Sequence, residues 1–201
     1  MNVISNILYW ISTGLLVPVI VLLILLFVRA LFLIGGFFGQ YLTERKNSAF
    51  LAEKVEKLSA ENLDEFETSL QKMKGSTAVS YMKKMFANRD NKSRVEMLVS
   101  EYEVEADKNL ALPKTLTKLG PMLGLMGTLI PMGPALVGLS SGDIASMAYN
   151  MQVAFATTVV GMVISAIGFI TQQTKERWFV KNLTTLEYVA DLITKSEEDK
   201  Q

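Results

Sequence analysis

The sequence predicts an all-α membrane protein with three transmembrane helices, N-terminus outside and C-terminus inside, whose helices extend into a cytoplasmic helical bundle. Three observations carry this expectation. Half of the 201 residues are hydrophobic and they gather in two stretches, Ile7 to Phe38 and Leu119 to Thr171, whereas a soluble domain interleaves apolar and polar residues. The second stretch is divided by a short polar turn. Lys and Arg are unevenly distributed, 14 of the 20 lying between Gln40 and Lys118.

The first apolar run, Ile7 to Val28, holds no charge. At helical rise its 22 residues span about 33 Å, enough to cross a hydrocarbon core of roughly 30 Å. It reads as a span rather than a signal peptide, because no Lys or Arg precedes it and it exceeds the usual apolar region of roughly 7–15 residues. Arg29 follows directly, and Ala30 to Phe38 is again apolar. The helix is therefore expected to continue past the interface while Arg29 snorkels towards headgroup phosphates.

Ser140, Ser141, Gly142 and Asp143 are turn formers set between Leu119 to Leu139 and Ile144 to Thr171, which predicts a tight helical hairpin. Pro131 and Pro134 lie inside its first arm, where each removes a backbone donor and is expected to bend the helix. Orientation follows from the basic residues. Five more follow Thr171, while none precedes Arg29 or lies in the turn, so the N-terminus and the turn face outward.

Four segments result: 1–39, the first transmembrane helix and its juxtamembrane extension; 40–118, a cytoplasmic helical region; 119–171, the transmembrane hairpin; 172–201, a cytoplasmic C-terminal helix. In the second segment Leu51, Val55 and Leu58 form one apolar face and Leu63, Phe66, Leu70 and Met73 another, with Asn62 and Glu65 spaced as a capping box at a break near Ser59 to Asn62. Val79, Met82 and Phe86 mark a short helix after Gly75. Val95, Leu98, Tyr102, Ala106 and Leu110 mark a longer one, and Phe179, Leu183, Leu186, Ala190 and Ile193 a last one. Such faces are expected to pack as an ordinary bundle.

The chain has neither Cys nor His, which removes thiol nucleophiles, disulfides, zinc sites and imidazole acid–base catalysis. With no carboxylate or Lys central to any span, enzyme chemistry is not expected, and neither is a cofactor or a metal. Equal numbers of acidic and basic residues give no case for a nucleic-acid partner.

Within the hairpin, Gly120, Gly124 and Gly127 recur at three- and four-residue spacing, which leaves one helix face nearly bare and lets another backbone approach, as subunit packing requires. The other arm carries a polar stripe of Asn150, Thr157 or Thr158, Gly161, Ser165 and Gly168. Lipid does not solvate such a face, so it must meet protein, water or its own preceding turn.

The run Gly120-Pro121-Met122-Leu123-Gly124-Leu125-Met126-Gly127-Thr128 resembles the second-helix signature of the MotA/TolQ/ExbB proton channel family, and Ala156-Thr157-Thr158-Val159-Val160-Gly161 resembles its third-helix signature. The three-span plan is similar to the ExbB and TolQ branches, and less so to the four-span MotA type. Val153 stands where those branches carry a glutamate, and Pro131 and Pro134 depart from their second helix. The resemblance implies a homopentameric ring in the cell's inner (cytoplasmic) membrane. It also implies two copies of a single-span partner resembling ExbD or TolR, whose membrane aspartate carries the ion, and a role in energy transduction such as protein transport. By motif position Thr128 and Thr158 correspond to hydroxyls facing that aspartate, with Thr157, Asn150 and Ser165 as further candidates for the ion path. The rival expectation is a non-conducting membrane scaffold whose cytoplasmic helices recruit a partner.

Overall fold

The computed structural model describes residues 2–59, 62–73 and 75–198. Among them the chain is all helical: α1 (Asn2–Gly14), α2 (Leu16–Glu56), α3 (Leu63–Gln71), α4 (Thr77–Phe86), α5 (Lys92–Ser140) and α6 (Ile144–Glu198). Three stretches are long and apolar enough to cross a membrane, Asn6–Glu56, Lys92–Ser140 and Ile144–Glu197. The uninterrupted first span expected from sequence is broken once, at Leu15. Pro18 has no N–H to give the Gly14 carbonyl, so the helical ladder loses a bond at that point. The flanking bonds persist, Leu15 N–H donating to Ile11 O and Val19 N–H to Leu15 O, each at 3.1 Å.

The turn between α5 and α6 falls where the sequence places it. Gly142 takes φ +76°, a conformation that costs a residue with a Cβ. Asp143 then caps α6, its Oδ1 accepting the Ser146 N–H at 2.9 Å. Helix α5 runs on through Pro113, Pro121, Pro131 and Pro134.

Two compact units emerge. The first comprises the chain up to Gly35 together with Leu112–Gln172. Its core is a narrow seam of Val19, Leu23 and Ala30 from α2, Leu116 and Leu123 from α5, and Ile164 from α6. The remaining surface is strongly apolar, with Leu25, Phe32, Leu129, Leu136, Phe155 and Met162 all more than half exposed, as a lipid or protein environment permits and water does not.

The second unit comprises Gly36–Ala111 and the chain from Gln173 onward. The apolar faces legible in the sequence converge here on one core. Leu51 and Leu58 meet Leu63, Phe66 and Leu70, then Val79, Met82 and Phe86, Val95, Leu98 and Tyr102, and Leu186, Ala190 and Ile193. Gly75, at φ +86°, turns the chain into α4 where a Cβ would lie 3.0 Å from Thr43. The predicted capping box is not formed. The Asn62 side chain points backwards instead, its Oδ1 accepting the Ser59 N–H at 2.9 Å and its Nδ2 donating to Lys57 O at 2.8 Å, so it closes the preceding loop. Glu65 is free to approach Lys54 at 3.8 Å. Ala60 and Glu61 of the predicted break, and Asp199 to Gln201 of the predicted C-terminal helix, lie outside the described residues.

Candidate functional site

The hairpin of α5 and α6 is built on backbone contact. A Cβ placed on Gly120 would sit 2.7 Å from Gly161 O and 2.9 Å from Ser165 N, and one on Gly161 would sit 2.6 Å from Gly120 O. At Gly127 it would meet the Thr157 side chain at 2.5 Å, and at Gly168 the Thr117 N at 2.7 Å. Gly124 is looser, with Gly161 Cα at 3.5 Å and Thr158 Cα at 3.6 Å, an ordinary contact distance. The sequence marks Gly120, Gly124, Gly127 and Gly161 for helix packing, the first three of them between subunits. The structure engages all three, with Gly161, inside one chain, because the four-residue turn already forces α5 and α6 together.

The polar stripe of α6 divides accordingly. Thr157 is 6% exposed, pressed on Gly127, with its Oγ1 donating to its own helix near Val153 O (3.1 Å) and Ala154 O (2.9 Å). Ser165 Oγ instead donates across the hairpin to Thr117 O at 3.2 Å. That carbonyl is the one Pro121 leaves without its helical donor four residues on, so the hydroxyl replaces the missing bond. Thr117 was not singled out from sequence. The signal is there, since each helical proline orphans the carbonyl four residues earlier.

Thr128 and Thr158 remain, partly exposed, each the next residue after the touching pair Gly127 and Thr157. In two antiparallel helices a step of one residue rotates both away from the contact towards the same flank. The two hydroxyls therefore share one side of the hairpin at closely similar depth. Thr128 Oγ1 donates to Leu125 O at 2.7 Å and Thr158 Oγ1 to Ala154 O at 3.1 Å, so each keeps lone pairs to accept from a donor outside the chain. Asn150 lies apart, about 12 Å nearer the turn at helical rise, with Nδ2 donating to Ser146 O at 2.9 Å.

No ionisable side chain accompanies them. Between Lys118 and Lys175 the sole charged residue is Asp143, which caps α6 at the turn. Any proton carried past Thr128 and Thr158 therefore has to ride on a group from outside this chain.

In the second unit a cavity of about 110 Å³ is lined in part by Glu44, Tyr102, Asn182 and Lys175. Glu44 Oε1 accepts the Ser76 hydroxyl at 2.7 Å. Burial pushes the Tyr102 phenol up to about 12, with Glu44 adding to the rise and a hydrogen bond with Asn182 opposing it. Burial also holds the Lys175 ammonium below the ordinary lysine value.

A search of curated proteins and a search of solved structures each return no match. The family model described as the MotA/TolQ/ExbB proton channel family matches residues 48–187, well over half of the chain and the whole hairpin. With three helices able to cross a membrane and a match to a proton channel family, the protein is a multi-pass membrane protein of channel type. The chain belongs to the MotA/TolQ/ExbB proton channel family.

Proposed function

We propose that this chain is a ring-forming subunit of an ion-driven membrane motor in the cell's inner membrane. It couples ion motive force, carried by protons, to mechanical work through a single-span partner similar to ExbD or TolR. Five copies enclose two partner helices, with the N-terminus and the hairpin turn outside and the second unit in the cytoplasm. The positive-inside distribution of Lys and Arg supports that orientation.

The observation that carries this reading is the common flank of Thr128 and Thr158 in a hairpin that has no proton carrier of its own. A partner carboxyl facing that flank donates its O–H to a threonine oxygen while protonated. Once it ionises, a threonine hydroxyl releases its own helix carbonyl and donates to the carboxylate instead. The pair thus offers a hydrogen bond to both protonation states, as a site that loads and unloads a proton requires. Asn150 is positioned to order water nearer the outer turn. Thr157 and Ser165 act by holding the hairpin wall in place.

Proton flux into liposomes containing the chain and its single-span partner tests the proposal. Flux that depends on the partner's aspartate and falls in Thr158→Val supports it. No flux above empty liposomes, with the partner demonstrably bound, supports the non-conducting scaffold instead.

A further inference from the structure

Arg29 is the single charged residue between Ile7 and Phe38, and its guanidinium has neither an ion pair nor a hydrogen bond to any described residue. It is exposed, on the side of α2 away from Ala30, which is fully buried in the seam. Leu25, Val28, Phe32 and Leu33 stand one turn or one residue from it, and with Leu112 of α5 they line an open groove of about 450 Å³ beside the charge. Phe32 is 77% exposed and Leu25 59%. The site thus sets one cation within an apolar trough that runs a helical turn to either side of it.

We infer that this groove binds an anionic phospholipid, its phosphate on Arg29 and an acyl chain along Leu25, Val28, Phe32 and Leu112. An unpaired guanidinium on a membrane-spanning helix is stabilised by reaching a phosphate, and basic pockets between membrane helices hold anionic headgroups in this way. Free phosphate leaves the apolar trough unoccupied. The first unit of a second copy offers no counter-charge at this depth. The first unit contains one carboxylate, Asp143, at the hairpin turn, about 40 Å along α5 from Leu112 at helical rise. The inference rests on the membrane placement of α2 and is independent of ion conduction, since lipid retention is read without any flux.

The test is native mass spectrometry of the full chain purified in detergent with equal phosphatidylglycerol and phosphatidylcholine added. Phosphatidylglycerol should be retained preferentially, by roughly fivefold, the factor expected of one basic residue near an anionic surface. Arg29→Gln should abolish the preference and Arg29→Lys should keep most of it. Leu112→Trp, which fills the trough and leaves the charge, should reduce retention of both lipids. Equal retention of the two lipids by the unmodified chain overturns the inference. So does a preference that survives Arg29→Gln, or a groove that cross-links to a second copy and excludes lipid.

Discussion

Thr157 and Thr158 are neighbours with the same side chain, and the hairpin gives them different tasks. Thr157 is sealed on Gly127 and bonded within its own helix, whereas Thr158 stands on the open flank beside Thr128. Removing a hydrogen bond to a charged group costs about 1.5–3 kcal/mol, so Thr158→Val and Thr128→Val should each lower partner-dependent proton flux by roughly tenfold or more. Thr157→Val should leave flux within roughly a factor of two, since a hydroxyl bonded only to its own helix contributes little net. Equal losses at 157 and 158 would remove the distinction between wall and path. The resemblance ranked Thr158 ahead of Thr157, but the helical spacing alone left the two open, because rotation about α6 is set by Gly127 and Gly161, and that contact is tertiary. Lys175 and Tyr102 give a second residue-scale prediction. The folded state holds Lys175 below 10.5, so it binds fewer protons than the unfolded chain across the interval from that lowered value up to 10.5. Stability should therefore rise with pH through that interval, and Lys175→Met should remove the slope. Tyr102 acts in the opposite sense. Between 10.0 and about 12 the unfolded chain loses its phenolic proton and the folded one keeps it, so stability falls as pH rises. Thermal melts of the wild type, Lys175→Met and Tyr102→Phe across alkaline pH separate the two.

At the scale of elements, the hairpin depends on glycine for contact and on Ser165 for repairing a proline. Gly161→Ala places a methyl 2.6 Å from Gly120 O, against backbone that cannot swing aside, and should destabilise the fold by about 1–3 kcal/mol. Gly124→Ala, with neighbours at 3.5 Å and beyond, should be tolerated. Ser165→Ala leaves Thr117 O without a partner, at a cost of about 1–2 kcal/mol in a membrane helix. If the orphaned carbonyl is the cause, that cost should largely vanish in a Pro121→Ala background, where the helical N–H is restored. Additive losses in the double mutant would show that Ser165 acts by some other route. Much at this scale was readable in advance. The 3.6-residue spacing of Leu63, Phe66 and Leu70, or of Leu186, Ala190 and Ile193, located the buried faces, because burial and periodicity are the same constraint. The Asn62 cap was misread for a reason equally physical. Its side chain offers both a donor and an acceptor, and closing the loop back to Ser59 and Lys57 uses both, while an N-cap uses one.

For the molecule as a whole, the number of spans and the family were legible because charge exclusion and the two glycine–threonine signatures are local in sequence. Which surfaces meet other chains was not, since Gly120, Gly124 and Gly127 look alike whether they serve an intramolecular or an intermolecular contact. With those glycines engaged inside the hairpin, the proposed ring is expected to assemble through the broad apolar surface that the first unit leaves open, including Leu129, Leu136, Phe155 and Met162. A closed ring around a partner helix covers part of that surface and leaves lipid to cover the rest. The most direct test is the native mass of the detergent-purified protein co-expressed with its single-span, aspartate-bearing partner. The account predicts five copies of this chain, with two partner chains when the complex is intact. A monomer or dimer persisting across mild detergents, with the partner present and unbound, would contradict it.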